Sequence, residues 1–147
     1  MDVRDVLNAA IDDECAAYEL YASTAGRAGN PAVRSLLLAL ADEERGHREL
    51  LESLDADRIQ AFTPEARQDL KVADQLSEKA IREDSDLQDV MIYAMHKEQE
   101  AREFYARMSL ALPDAELSGL FHKLSVMENT HKARLEELYE EVFLREN

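Results

Sequence analysis

An internal repeat of 84 residues limits the folds open to this chain of 147 residues more than any other feature. The shift pairs five positions near the start: Val6 with Val90, Ala10 with Ala94, Glu14 with Glu98, Ala17 with Ala101 and Tyr21 with Tyr105. Further on, and without a gap, it pairs Leu36, Leu40, Glu44, His47, Leu51 and Leu54 with Leu120, Leu124, Glu128, His131, Leu135 and Leu138. Spacings of three and four are typical of one face of an α-helix, so the repeat predicts two copies of one helical hairpin.

Turn and capping residues predict where the helices begin and end. The first helix is expected over about 2–25, before the segment GRAGNP breaks the pattern. Asn30 as N-cap and Pro31 at the first helical position open the second helix. Ser85 with Gln88 three residues later is typical of a capping box, and it predicts the start of the third helix.

The fourth helix is predicted from Asp114 to about Leu144, after a break at Leu112 and Pro113. Between the hairpins the helical pattern weakens over a stretch long enough to run the length of a bundle. We therefore predict an all-α, antiparallel four-helix bundle in a single domain. Its parts are hairpin one at about 2–54, a long crossover at about 55–85 and hairpin two at about 86–145.

Composition agrees with helices and narrows the location and the partners. Gly and Pro are scarce, and the formal net charge is −15. Such a charge disfavours nucleic acid and anionic membranes as partners. The acidic start does not resemble a signal peptide, and no apolar run is long enough for a membrane span. One cysteine, Cys15, fits a reducing compartment, so we expect a soluble cytoplasmic protein.

Six polar residues interrupt the apolar stripes at equivalent places in both copies: Glu14, Glu44 and His47 in the first, and Glu98, Glu128 and His131 in the second. Glu-x-x-His alone is weak evidence in a chain so rich in glutamate. Both copies of the motif nevertheless follow another glutamate by 30 residues. Residues three apart on a helix share a face, so each motif can direct an oxygen and a nitrogen to one point. The pattern predicts metal ligands.

The alternative is that these residues are buried polar groups held in salt bridges. No Lys or Arg lies on the inward stripes near them, and burying four unpaired carboxylates would be prohibitive. Two divalent ions would balance four carboxylates if both imidazoles are neutral. Carboxylate and imidazole ligands without thiolate suit iron, manganese or zinc, and we predict two iron ions.

Other residues near the predicted site have less specific roles. Tyr21 and Tyr105 lie two turns beyond Glu14 and Glu98, where a phenol could hydrogen-bond a ligand carboxylate; filling the core is the alternative. Glu43 precedes a predicted ligand, but its repeat equivalent is Met127, so we expect it to be solvated. We predict surface positions for His96 and His122, and a small buried apolar role for Cys15.

The sequence resembles the rubrerythrin-like branch of the ferritin-like di-iron carboxylate superfamily over nearly its whole length. The segments that carry the resemblance are AIDDECAAYELY, ADEERGH, AMHKEQEAREFY, VMENTH and KARLEELYEE. It implies a ferritin-like bundle, the family's ligand places for the six residues above, and a homodimer. Two departures concern the reaction. The cysteines of a rubredoxin domain are missing, and Ala101 stands where rubrerythrin has an additional glutamate that takes part in peroxide reduction.

Three functions are open at this point. The first is an oxidoreductase in which a di-iron centre reacts with hydrogen peroxide or dioxygen and is reduced again by an external electron donor, in oxidative-stress defence or iron homeostasis. The second is a ferroxidase or iron-sequestering protein without a substrate cycle. The third is a helical interaction module stapled by metal, which we rank last because structural metal sites usually employ thiolates and imidazoles.

Overall fold

The computed structural model describes residues 3–54 and 85–144, and all regular structure in these two ranges is helical. The all-α prediction is therefore confirmed for this part of the chain. The helices are α1 (Val3–Arg27), α2 (Pro31–Glu52), α3 (Leu87–Ala111) and α4 (Ala115–Tyr139), followed by a π-helical turn at Glu140–Leu144. None of them is long and apolar enough to cross a membrane.

In the first hairpin, α1 and α2 are joined by a short turn. The Asn30 side chain accepts hydrogen bonds from the backbone N–H groups of Ala32 at 2.8 Å and Val33 at 3.3 Å, which confirms the predicted N-cap. The guanidinium group of Arg34 donates to the carbonyl of Ala28 at 2.6 Å and ties the turn to α2. These bonds satisfy polar groups that helix ends leave without intrahelical partners.

The predicted capping box at the start of the second hairpin was wrong by one residue. Asp86 is the N-cap of α3, and its carboxylate accepts from the Asp89 N–H at 2.8 Å. Ser85 lies just before the cap. Gln88 does not close a capping box, because its side-chain amide donates to the Tyr139 hydroxyl at 2.8 Å. The side-chain amide that a capping box would need is thus used in a contact with a distant residue of the chain.

The turn between α3 and α4 lies where the sequence predicts it. Asp114 caps α4 by accepting from the N–H groups of Glu116 at 2.9 Å and Leu117 at 3.1 Å. Just inside the turn, the hydroxyl groups of Ser109 and Ser118 each donate to the other residue's carbonyl at 2.7 Å. The two helices are therefore joined at this end by side-chain hydrogen bonds as well as by the turn.

The last helix is less regular than predicted. The α-helical hydrogen bonding ends at Tyr139, and Glu140–Leu144 continue as a π-helical turn. The Tyr139 ring packs against Phe143 with 5.1 Å between ring centroids. The extra residue per turn of a π-helix rotates the side chains relative to an α-helix, which the spacing pattern could not show.

The buried side chains follow the apolar stripes of the repeat. In α1 and α2 the stripe includes Val6, Ala10, Tyr21, Leu37, Leu40 and Leu51; in α3 and α4 it includes Val90, Ala94, Tyr105, Phe121, Leu124 and Leu135. Each hairpin forms a compact unit of its own. The predicted crossover at 55–85 lies outside the described residues, apart from Ser85.

Candidate metal centre

The first hairpin brings three of the predicted ligands together. Glu14 comes from the middle of α1, and Glu44 and His47 lie on successive turns of α2. The Nδ1 atom of His47 is 3.0 Å from a carboxylate oxygen of Glu14 and 3.0 Å from one of Glu44. We call Glu14, Glu44 and His47 the first triad. It is formed entirely within one helical hairpin.

The second hairpin repeats this arrangement. The Nδ1 atom of His131 is 3.4 Å from a carboxylate oxygen of Glu98 in α3 and 3.1 Å from one of Glu128 in α4. We call Glu98, Glu128 and His131 the second triad. The 84-residue repeat is therefore present in the positions of the side chains as well as in the sequence.

Burial distinguishes the triads from ordinary surface carboxylates. All six side chains belong to residues that are 1 to 3% exposed, although the chain has 32 Asp and Glu residues in all. Each triad contains two carboxylates and one imidazole, so even a protonated histidine leaves excess negative charge. Removing such charge from water is costly unless a cation compensates it.

The spacing of the donor atoms fits a metal ion. Within each triad, one donor atom of every residue lies within 4.8 Å of the others. Oxygen and nitrogen ligands bound at about 2.0–2.2 Å to one ion lie about 3.0 Å apart at right angles and about 3.4 Å apart in a tetrahedron. The distances between Nδ1 and the oxygens, 3.0 to 3.4 Å, cover this range. Two oxygens and one imidazole nitrogen suit iron, manganese or zinc.

A basic residue follows each histidine, but it is paired along the helix. Arg48 lies 3.6 Å from Glu52, and the repeat-equivalent Lys132 lies 3.0 Å from Glu136. Both acidic partners are more than half exposed. These pairs were not singled out in the sequence, although the same 84-residue shift relates them. Each pair joins two residues one turn apart on the same helix.

Tyr21 and Tyr105 are buried, with 1% and 2% of their surface exposed. Tyr105 packs edge-on against Phe104 and is tilted against Phe121, at 5.3 and 6.0 Å between ring centroids. Burial fits both predicted roles, hydrogen bonding to a ligand and filling the core. The role of the two phenols beside the ligands therefore stays a prediction.

The remaining sequence predictions had mixed outcomes. His122 is exposed as predicted, whereas His96 is half-buried. Glu43 was predicted to be solvated and is half-buried instead. Cys15 is also half-buried, so its predicted place in the core was wrong. Because successive helix residues differ by about 100° in direction, Cys15 lies at the edge of the stripe that buries its neighbour Glu14.

In its described residues the chain is all-helical, and each hairpin buries a cluster of two carboxylates and one imidazole. The model of the rubrerythrin family matches residues 5–139, and the chain belongs to that family. The match includes all six residues of the triads.

Solved structures agree with the family on the fold. A ferritin-like di-iron-carboxylate protein from Thermotoga maritima superimposes with a TM-score of 0.72 at 23% identity, over 96% of both chains. A hypothetical protein from Pyrococcus furiosus does so with a TM-score of 0.71 at 24% identity, over 95% of this chain and 89% of the other. The ferritin-like fold is therefore confirmed. No curated protein matches the chain.

Proposed function

We propose that the two triads together hold two iron ions, and that the protein is an oxidoreductase which reacts with hydrogen peroxide or dioxygen. The observation that carries the proposal is the burial of two glutamates and one histidine in each hairpin, with 3.0 to 3.4 Å between the histidine Nδ1 atom and the carboxylate oxygens. Membership of the rubrerythrin family supports the choice of iron. The Thermotoga structure is described as a ferritin-like di-iron-carboxylate protein, which supports a centre with two ions.

Each residue of the triads has a definite part in this proposal. Glu14, Glu44 and His47 would bind one ion, and Glu98, Glu128 and His131 the other. When bound, a pair of irons supplies electrons to peroxide or dioxygen and takes them back from an external donor. The chain's own contribution is to hold four carboxylates and two neutral imidazoles in place and to exclude bulk water. Tyr21 and Tyr105 would orient ligand carboxylates through their hydroxyl groups.

Ala101 restricts the mechanism by which the protein could reduce peroxide. It stands three residues after Glu98, at the place where rubrerythrin has a further glutamate, and its repeat equivalent Ala17 is also alanine. Both alanines are half-buried. Neither can supply a carboxylate, so the protein would have to reduce peroxide without a ligand exchange at this position. Among the residues that the structure describes, the proposed reaction therefore rests on the six residues of the triads, with Tyr21 and Tyr105 in support.

The decisive experiment mixes anaerobic ferrous protein with hydrogen peroxide in a stopped-flow spectrometer. We expect the protein-bound iron to be oxidised faster than free ferrous ion at the same concentration. A Glu44→Ala variant, which lacks one ligand, should lose the fast phase. Oxidation at the rate of free ferrous ion would exclude the oxidoreductase proposal. Dioxygen in place of peroxide then distinguishes the two oxidants.

A second candidate is a ferroxidase or iron-sequestering protein without a substrate cycle. The net charge of −15, which raises the local concentration of cations, favours it. Sequestration predicts uptake of more than two irons per chain under air. Saturation at two would count against storage and leave the oxidoreductase proposal intact.

The third candidate, a metal-stapled interaction module, predicts that zinc stabilises the protein as well as iron and that no redox change occurs. A homodimer, an external electron donor and a cytoplasmic location also remain predictions. Size-exclusion chromatography with light scattering tests the dimer directly.

A further inference from the structure

The hydroxyl group of Ser125 joins the two helices of the second hairpin close to the second triad. Ser125 lies in α4 and is 8% exposed, and its Oγ atom donates to the backbone carbonyl of Arg102 in α3 at 3.0 Å. Ser125 precedes Glu128 by one turn of α4, and Arg102 follows Glu98 by one turn of α3. The hydrogen bond therefore lies one turn from the triad, on the side of the turn between the helices.

This bond is not the one that a hydroxyl can make within its own helix. A serine or threonine can donate to the carbonyl four residues earlier. Thr130 of α4 does so, since its Oγ1 atom donates to the Val126 carbonyl at 3.1 Å. Ser125 instead donates to α3. A carbonyl oxygen has two lone pairs, so that of Arg102 can accept this bond as well as one from its own helix. Ser125 thus adds a link between α3 and α4.

The second triad depends on the alignment of these two helices, because its residues come from both. Glu128 and His131 are three residues apart on α4, so the helix itself fixes their relative position. Glu98 comes from α3, and the 3.4 Å between its carboxylate oxygen and Nδ1 of His131 depends on where α3 lies against α4. Metal–ligand distances vary by only about 0.2 Å, so a small slip of α3 would take Glu98 out of reach of a shared ion.

The first hairpin has the same types of ligand without this hydroxyl group. The 84-residue shift pairs Ser125 with Ala41, which is 3% exposed, and it pairs Arg102 with Tyr18. An alanine side chain has no hydrogen-bond donor. The repeat therefore keeps the ligands of the two triads alike and changes the residue one turn before the Glu-x-x-His motif.

We propose that Ser125 is a positioning residue of the second triad: its hydrogen bond to α3 holds Glu98 within reach of the ion that Glu128 and His131 bind. Ser125 is not a proposed ligand and acts through the alignment of the helices. The inference rests on the proposed metal centre and adds a residue on which only one of its two ions depends.

Zinc titration of the whole protein tests this role at each triad separately. In protein with ¹⁵N-labelled histidine, NMR follows the ring signals of His47 and His131, which are assigned from the His47→Ala and His131→Ala variants, with a chelator as competitor for zinc. We expect Ser125→Ala to weaken zinc binding at His131 by about fivefold, the factor that corresponds to one hydrogen bond of about 1 kcal/mol. Binding at His47 should change much less. Equal weakening at both histidines would overturn the proposal.

Ser118→Ala is the matched control, because Ser118 is another serine of α4 that donates to a carbonyl of α3, that of Ser109 at 2.7 Å. It lies ten residues, or about 15 Å, before Glu128 and close to the turn that already joins the helices. Ser118→Ala should lower the melting temperature by a similar amount to Ser125→Ala and leave zinc binding at His131 unchanged. If both variants bind zinc equally weakly, the effect is a general loss of stability and the proposal is wrong.

Crystal structures of the zinc-loaded parent and of Ser125→Ala test the geometry. In the parent we expect a carboxylate oxygen of Glu98 at about 2.0–2.2 Å from the zinc ion held by Glu128 and His131. In the variant this oxygen should lie further away or no longer bind. An unchanged Glu98–zinc distance in Ser125→Ala would contradict the positioning role.

The inference and the proposed function fail in different ways. If the parent protein binds no zinc at either His47 or His131, the metal centre is rejected and the inference falls with it. If the parent binds zinc at both, and Ser125→Ala binds it with the parent affinity, only the positioning role of Ser125 is rejected.

Discussion

At the scale of residues, glutamates occupy positions at which the helical periodicity predicts apolar side chains. Glu14 interrupts the stripe that buries Val6, Ala10 and Tyr21, and it is as buried as they are. Arg48, which follows His47, forms an ion pair with Glu52. This ion pair does not compensate the negative charge of the first triad. A metal cation would compensate this negative charge, and the oxygen and nitrogen atoms of each triad suit one. The predictions for single substitutions follow from this requirement for a cation.

Replacing Glu128 with Ala should weaken metal binding by at least about tenfold, because ligand sets lose affinity steeply when a member or its support is removed. Glu44→Ala should do the same. The matched control is Glu43→Ala, which removes a neighbouring carboxylate of the same helix and should have a much smaller effect. Isothermal titration with zinc or anaerobic ferrous ion measures all three. Equal losses in Glu43→Ala and Glu44→Ala would show that the helix register is wrong.

Replacing Glu128 with Gln should change stability in opposite directions with and without metal. Without metal it removes one buried negative charge from a triad with two carboxylates, so the melting temperature should rise. With zinc it removes a ligand, so the melting temperature should fall below that of the loaded parent. Glu137→Gln, on the exposed face of the same helix, is the control and should be nearly neutral in both states.

At the scale of elements, side chains that cap the helices decide where the hairpins begin. Asn30 and Asp114 open the second helix of each hairpin, and both accept two backbone hydrogen bonds. This puts each Glu-x-x-His motif at a fixed number of turns from its cap. The inter-helix turn then sets which residue of the first helix faces the motif. Glu14 reaches His47, and Glu98 reaches His131, because both hairpins keep the same turn length.

Capping of α3 provides a test of the corrected boundary. Asp86→Ala should cost about 1 kcal/mol of stability, because the Asp89 N–H loses its acceptor. Ser85→Ala, one residue earlier, should cost clearly less. Urea unfolding followed by circular dichroism measures both. A larger loss in Ser85→Ala would restore the capping box that the sequence alone suggested.

At the scale of the whole molecule, the chain belongs to the rubrerythrin family and has the ferritin-like fold. A protein that buries four carboxylates gives up part of its stability when no cation is present. We therefore expect the folded chain and the bound ions to depend on each other, as binding to the folded state alone always stabilises it.

Adding zinc should raise the melting temperature, and a chelator should reverse the change. A free ion at about 100 times its dissociation constant contributes about 2.7 kcal/mol per site, and a domain of this size shifts by roughly 2–4 °C per kcal/mol. Differential scanning calorimetry should therefore show a rise of roughly 5–10 °C per occupied site. His47→Ala combined with His131→Ala should remove most of it. A chelator-insensitive melting temperature would argue against a metal centre.

Much of this protein follows from the sequence by itself. The repeat relates His47 to His131 and predicted both hairpins, and the spacing of Glu44 to His47 placed donor atoms on one buried face, because helix geometry is local and periodic. The cap at Asn30 was predicted correctly for the same reason, since an N-cap depends on a few neighbouring residues.

Other features depend on contacts between residues far apart in the chain. Gln88 bonds to Tyr139 instead of closing a capping box, and α4 ends in a π-helical turn beside that contact. The distances from Nδ1 of His47 to Glu14 and from Nδ1 of His131 to Glu98 were likewise decided only by tertiary structure. Periodicity sets the face on which a side chain lies, whereas packing against another helix sets which atoms it meets.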